Sequence, residues 1–139
     1  MLAKCVIVPQ GKAKIAGTVT FRQASGDEPV QIRVDLSGFP KDGLFGFHIH
    51  RYGDMSGGCG TMCEHFDANR GAPHGGPTDP PSRRHLGDLG NIRVRNGKCR
   101  TTITDPLLSL FGIAGKRSIL GRGVVVHEKE DDLGRGGPA

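Results

Sequence analysis

Aromatic residues are scarce in this 139-residue chain, which has no tryptophan, one tyrosine and six phenylalanines. So few aromatic side chains offer little surface on which the bases of single-stranded nucleic acid could stack. No apolar run approaches the roughly 20 residues of a membrane-spanning helix. The N-terminus also lacks the apolar stretch of a secretory signal. These absences predict a cytoplasmic protein that has neither a membrane nor a nucleic acid as a partner.

Charge is unbalanced, since 19 basic residues face 14 acidic ones and the formal net charge is +5. The basic residues are scattered, and the densest clusters are short. One of these clusters consists of Arg93, Arg95, Lys98 and Arg100. A positive field of this kind raises the encounter rate with small anions and says nothing about the fold.

Helical periodicity is missing, and a two-residue alternation of apolar and polar residues takes its place. Residues 15–22, 30–37 and 92–95 alternate in the way expected of half-buried antiparallel strands. Asn96-Gly97 predicts a two-residue hairpin turn, because both residues tolerate a positive φ. Other strand-like runs complete about seven strands, namely residues 5–8, 44–50 and 121–127. The pattern predicts one all-β domain over residues 1–139, a sandwich or flattened barrel.

Between residues 51 and 89 the alternation stops, and no strand is predicted. A loop of this length inside a compact domain is usually either disordered or functional. This segment contains side chains that could tie it down through a metal ion or a disulfide. They are Cys59, Cys63, His65, His74, His85 and Asp88.

Histidines occur only at predicted strand ends and in this loop. His48 and His50 lie two apart on a predicted strand, so they point the same way with Cα atoms about 6.6 Å apart. They could bind one metal ion, or they could be polar residues on a solvated face. His127 ends another predicted strand, where an exposed polar residue is the alternative. Three imidazoles and a carboxylate in the loop suit a tetrahedral zinc site. They are His65, His74, His85 and Asp88.

Several motifs surround these residues in a fixed order along the chain. They are Gly46-Phe47-His48-Ile49-His50, His65-Phe66, His74-Gly75-Gly76-Pro77, Arg84-His85-Leu86-Gly87-Asp88 and Val125-Val126-His127-Glu128. Their order closely resembles that of the copper/zinc superoxide dismutases, from about residue 4 to residue 137. The resemblance implies a Greek-key, immunoglobulin-like β-sandwich with long metal-binding loops.

The resemblance also implies an activity and a set of ligands. Superoxide would be converted to O2 and H2O2 by copper cycling between Cu(II) and Cu(I), with one copper and one structural zinc per chain. The implied copper ligands are His48, His50, His65 and His127, and the implied zinc ligands are His65, His74, His85 and Asp88. His65 would bridge the two metals. Asp131 matches a carboxylate that hydrogen-bonds His48 and His74, whereas its sequence context alone suggests a solvated acidic residue.

The chain departs from the family pattern at its end. Family members continue past Ala139 into a final strand that carries an arginine near the copper and a cysteine. We therefore expect the last strand to be missing and activity to be retained but reduced. Cys59 matches the family cysteine that would pair with the missing one. A local bridge from Cys59 to Cys63 would close little chain. Free thiols, or a zinc site that includes these cysteines, are the alternatives.

Other functions remain open at this point. The resemblance implies a homodimer and a copper chaperone that loads the metal. A metal-binding or copper-chaperone-type relative with little turnover is the main alternative to the enzyme, and the complete copper ligand set favours the enzyme. A nucleic-acid-binding barrel would need basic residues beside aromatic ones on one face, which the sequence does not show.

Overall fold

The computed structural model describes residues 1–57, 61–67, 72–111 and 118–135. Seven strands occur in these ranges. They are β1 (Leu2–Ile7), β2 (Ala16–Arg22), β3 (Val30–Ser37), β4 (Gly43–His50), β5 (Asp88–Val94), β6 (Lys98–Asp105) and β7 (Gly123–Val126). A 3₁₀ turn lies at Pro81–Arg83. No helix in the described ranges is long and apolar enough to cross a membrane.

Two antiparallel sheets form the scaffold, one in the order β1-β2-β3-β6 and the other in the order β5-β4-β7. The alternation in the sequence explains the first sheet, because every second residue of β3 is buried. In this register Ile32 lies opposite Phe21 of β2 and Ile103 of β6, so all three share the inner face. The prediction of an all-β sandwich is confirmed.

The core lies between the inner faces of the two sheets. Val19 and Leu36 of the first sheet are almost fully buried, and so are Phe47 and Ile92 of the second. Each such side chain contributes about 1.5–3 kcal/mol relative to leaving it exposed. Although apolar residues are few, their placement at alternate positions gives a continuous core.

Asn96 and Gly97 form the predicted turn between β5 and β6, with φ of 53° and 72° respectively. Positive φ at both positions is what a twisted two-residue hairpin requires. Because β5 and β6 belong to different sheets, this hairpin joins the two layers at one corner.

Strand β4 differs from the others because burial does not alternate along it. It pairs with β5 on one side and β7 on the other, and its residues 45–50 are all buried. The register shifts between Gly46 and His48, which marks a bulge. The outer face of β4 is therefore covered, and the covering residues come from the long loop and from the segment after β7.

Candidate metal centre

Backbone pairing at the end of β4 brings the loop to the strand. The Ile49 N–H donates to the Gly87 carbonyl at 3.0 Å, and the Ile49 carbonyl accepts from the Phe66 N–H at 2.8 Å. His50 forms an isolated antiparallel bridge with His65. Residues far apart in the sequence are thus fixed beside the two histidines of β4, which are 2 % and 7 % exposed.

His65 lies at the centre of the chain's histidines. Its ring centroid is within 6.0 Å of the centroids of the other five imidazoles. The separations are 4.0 Å to His48, 4.9 Å to His50, 5.2 Å to His74, 5.6 Å to His85 and 6.0 Å to His127. All six histidines of the sequence therefore gather at one place.

His74, Asp131 and Asp132 form one group of potential ligand atoms, and two further groups share His65. Each of these two has its atoms within 4.8 Å of one another. One group is His48, His65, His74 and Asp88, and the other is His50, His65 and His127. The ring of His48 stacks on that of His65 and also approaches His127 at 4.6 Å. The geometry therefore places His48 beside both groups, whereas the family resemblance assigns it to the copper set.

Asp88 begins β5 and its side chain is fully buried. Its Oδ1 lies 2.8 Å from His65 Nδ1, 3.0 Å from His74 Nδ1 and 3.5 Å from His85 Nδ1. Its Oδ2 accepts hydrogen bonds from the N–H groups of Gly75 and His85. Burial raises the pKa of this carboxyl, but the hydrogen bonds from His65, His85 and Gly75 outweigh burial and lower the pKa. Asp88 is thus an anion that faces three imidazole nitrogens.

Several buried ring nitrogens have no hydrogen-bond partner among the residues that the structure describes. They are both nitrogens of His48, His50 Nε2, His85 Nδ1 and His127 Nε2. Leaving a buried polar atom unsatisfied costs about 1–3 kcal/mol. Bound metal ions would satisfy these atoms, and nitrogen with carboxylate oxygen suits both zinc and copper. The residues therefore fit the two metals.

Burial also favours the neutral form of three histidines, His48, His50 and His127. Desolvation, followed by repulsion from His65 and His127, lowers the pKa of His48 to about 2. Desolvation lowers the pKa of His50 to about 4, and it lowers the pKa of His127 as well. His50 Nδ1 donates to the Cys63 carbonyl at 2.7 Å, which leaves a lone pair on Nε2. Neutral imidazoles at pH 7 need not lose a proton before they bind a metal ion.

Asp131 connects two of these histidines, at the place where the family resemblance expects a carboxylate. Its Oδ1 accepts from His74 Nε2 at 2.7 Å and lies 3.2 Å from His48 Nε2. Asn91 on β5 positions Asp131 through two hydrogen bonds, one to the Asp131 N–H and one to its carbonyl. Sequence analysis assigned no role to Asn91, because nothing in the sequence marks a contact between residues 40 positions apart.

Arg84 is a second residue that sequence analysis missed. It is 1 % exposed, and its guanidinium donates to the carbonyls of Pro77, His85 and Leu86 at 2.7–3.0 Å. It also donates to Asp105 Oδ2 at 3.1 Å. Arg84 therefore ties the segment that carries His85 to the end of β6, although a loop arginine in the sequence suggests only an exposed charge.

Three of the four cysteines can be placed. Cys5, Cys63 and Cys99 form no disulfide with one another, and burial raises the pKa of Cys5 and Cys99. Cys59 lies outside the described residues. The Cys59–Cys63 bridge therefore stays a prediction.

The structure is a β-sandwich in which two groups of potential metal ligands share His65. Comparison with known proteins identifies its family. Residues 15–139 match the family model of copper/zinc superoxide dismutase. The chain is 44 % identical over 139 residues to a Cu-Zn superoxide dismutase of Yarrowia lipolytica, covering 99 % of this chain and 86 % of that protein. It is also 44 % identical over 137 residues to a Cu-Zn superoxide dismutase of Cordyceps militaris, covering 98 % and 85 %.

A solved structure gives the same result for the fold. The crystal structure of the clock protein EA4 matches with a TM-score of 0.80 and 38 % identity, covering 95 % of this chain and 79 % of that one. The chain belongs to the copper/zinc superoxide dismutase family.

Proposed function

We propose that residues 1–139 form one superoxide dismutase domain, which converts two superoxide anions into O2 and H2O2 with one copper and one zinc ion per chain. Family membership over nearly the whole chain supports this function. The structural observation that carries it is the position of His65, whose ring is shared by the two groups of ligand atoms.

The ligand sets come from the family resemblance, and the two groups that share His65 support them in part, with His50 and His127 in one group and His74 and Asp88 in the other. The copper ligands are His48, His50, His65 and His127, and the zinc ligands are His65, His74, His85 and Asp88. When bound, copper supplies a one-electron acceptor and donor, while zinc supplies fixed charge without redox chemistry. The buried ring nitrogens that lack partners support this assignment.

His65 offers one nitrogen to each side of the site. Its Nδ1 faces Asp88 at 2.8 Å, so Nε2 is left for the group that contains His50 and His127. The second superoxide must gain protons to become H2O2, and His65 Nε2 can hold one of them beside the reacting oxygen. Asp131 orients the His74 ring through the 2.7 Å hydrogen bond to Nε2, leaving Nδ1 for the metal.

Superoxide is an anion, so positive charge near the site would favour its approach. Lys129 and Arg135 are exposed on the segment that follows β7 and the copper candidate His127. We assign them this steering role, and dismutation should therefore fall as ionic strength rises.

The test is reconstitution with both metals, followed by elemental analysis, Cu(II) electron paramagnetic resonance and a dismutation assay. We expect one copper and one zinc per chain, a rhombic copper spectrum and turnover well above that of free copper. In the His65→Ala variant the Cu(II) spectrum should no longer depend on whether zinc is bound. Turnover no higher than that of free copper would favour a metal-binding or chaperone-type relative instead.

The partners and location also follow the family. We propose that the chain forms a homodimer in the cytoplasm and receives copper from a chaperone. Support for the dimer comes from exposed apolar side chains on and beside β1, where Leu2 and Val6 are each 60 % exposed and Val8 is 42 % exposed. Sedimentation velocity tests the dimer, since a single species with the mass of one chain at micromolar concentration contradicts it.

A further inference from the structure

One short stretch of the sequence contains several basic residues and no acidic residue. Residues 93–100 contain four basic side chains and no acidic one, so they carry +4 of the formal net charge of +5. The other 131 residues are nearly balanced, with 15 basic and 14 acidic side chains. The metal centre does not use this stretch.

The β5–β6 hairpin brings these four cations to one surface. Arg93 and Arg95 are exposed on one side of the turn, and Lys98 and Arg100 are exposed on the other, while Cys99 points inward. Arg95 lies opposite Lys98 across the turn. All four line a single shallow depression of about 390 Å³, and we call this set of four residues the hairpin basic patch.

Few carboxylates neutralise the hairpin basic patch within the described part of the chain. Arg100 pairs with Asp35 at 3.3 Å, where both side chains are largely exposed. Asp42 lies beside the turn and accepts a hydrogen bond from the Gly97 N–H. The other three cations have no carboxylate partner among the residues that can be described. Holding like charges this close is unfavourable, and a bound anion would relieve the repulsion.

We propose that the hairpin basic patch binds a flexible linear polyanion that repeats phosphate or sulfate groups. Guanidinium groups recognise such oxyanions through paired hydrogen bonds. Residues two apart on a strand are separated by about 6.7 Å, so Arg93 and Arg95 present a row of cations along which successive anionic groups can lie.

The shape and chemistry of the surface disfavour a base-paired duplex. A two-stranded ribbon can enter the major groove, but β5 and β6 belong to different sheets and pair only at Arg95 and Lys98 within the described residues, so they do not form an extended ribbon. Among the described residues no aromatic side chain lines the depression, so single-stranded bases lack an aromatic surface on which to stack. A chain of phosphate or sulfate groups needs neither feature.

The patch is also distinct from the metal centre. Asp88 and Arg93 lie on the same strand five residues apart, which corresponds to about 17 Å. Binding at the patch should therefore not require either metal ion.

Salt dependence gives the expected size of the effect. Four cations should give a slope of log K against log salt concentration of about −2.8, so raising salt from 50 to 200 mM should weaken binding about 50-fold. Removing two cations should halve the slope and weaken binding at 50 mM salt about 60-fold.

The experiment titrates the metal-loaded protein with inorganic polyphosphate by calorimetry at several salt concentrations. Arg93→Thr/Arg95→Thr is compared with Lys12→Thr/Lys14→Thr, which removes two exposed charges outside the patch. We expect Arg93→Thr/Arg95→Thr to weaken polyphosphate binding about 60-fold at 50 mM salt, and Lys12→Thr/Lys14→Thr to change it less than about 3-fold. Metal content and dismutation activity should be unchanged in both variants.

Two further titrations identify the ligand. Dextran sulfate of matched charge is titrated in the same way as polyphosphate. The polyanion that binds more tightly shows whether the patch prefers a sulfate chain or a phosphate chain. Equal losses in the two variant pairs would show that only net charge matters and would overturn the proposal. Absence of binding at 50 mM salt, or tighter binding of duplex DNA, would overturn it as well.

Discussion

Replacing Arg84 should destabilise this protein more than replacing any exposed arginine. Its buried guanidinium makes an ion pair with Asp105, whose side chain is 3 % exposed, and donates to three loop carbonyls. The Arg84→Met variant keeps an unbranched apolar side chain but removes every donor. Asp105 would then remain as a buried carboxylate whose remaining donors, among the described residues, are the N–H groups of Leu107 and Leu108.

The expected loss is large relative to the stability of a domain of this size. Removing one partner of a buried ion pair costs about 3–5 kcal/mol, and native domains have a total free energy of unfolding of about 5–15 kcal/mol. Zinc affinity should fall as well, because the carbonyls of His85 and Leu86 lose the donor that fixes them. Arg84→Met/Asp105→Leu should regain part of the stability, since no buried charge remains.

The chain supplies a matched control in Arg83, which is adjacent and exposed. Arg83→Met makes the same change of charge and side chain, and it should alter the free energy of unfolding by less than about 0.5 kcal/mol. Urea unfolding of the zinc-loaded and metal-free forms at pH 7 measures both variants. If Arg84→Met and Arg83→Met differ by less than about 1 kcal/mol, the buried pair does not hold the loop as argued.

Three further perturbations test the site. Burial lowers the pKa of His48 to about 2 and that of His50 to about 4. Below pH 6.5 the two histidines take up protons in the unfolded metal-free chain but not in the folded one. The free energy of unfolding measured with urea should therefore fall by up to about 3 kcal/mol per pH unit as the pH drops towards 4. A free energy of unfolding that does not change with pH would refute this. A Cβ on Gly87 would lie 2.0 Å from a carbonyl oxygen of β4. Gly87→Ala should therefore cost about 1–3 kcal/mol in thermal unfolding, and an unchanged midpoint would contradict the close approach. Asp131→Leu should weaken zinc binding about 10–100-fold in a chelator competition, because the His74 ring loses the carboxylate that orients it. The exposed control Glu130→Leu should leave zinc affinity unchanged. Equal effects of the two substitutions would exclude a specific role for Asp131.

Strands β2 and β3 of the first sheet could be predicted because local alternation alone determines which of their residues face the core. The same holds for the turn at Asn96-Gly97, where two adjacent residues suffice. Strand β4 is harder to interpret, since residues 45–50 are buried on both faces and no alternation marks which histidines point outward. Its burial depends on residues more than a dozen positions away.

The residue types at the site could be predicted, but their contacts could not. The six histidines could be found because histidine is rare here and clusters at strand ends and in one loop, whereas Asp88 is one of ten aspartates and was marked by its place in that loop and by the family resemblance. The contacts of Asp131 with His74, 57 residues away, and of Asn91 with Asp131 exist only once the loop and the segment after β7 close over β4. Arg84 was missed because burial of a loop arginine depends on a distant partner, Asp105.

The scaffold therefore holds the histidines together at a cost in stability. The Ile49 N–H donates to Gly87 and the Phe66 N–H donates to Ile49, so backbone hydrogen bonds of the sheet fix the site and the ring nitrogens are buried without help from a metal ion. Those unsatisfied nitrogens destabilise the metal-free chain. A ligand that binds only the folded state stabilises it by about 4 kcal/mol at a thousandfold excess over its Kd. The buried ring nitrogens that destabilise the metal-free chain are thus the same atoms that would bind the metal ions. The thermal unfolding temperature should therefore rise as more metal is bound.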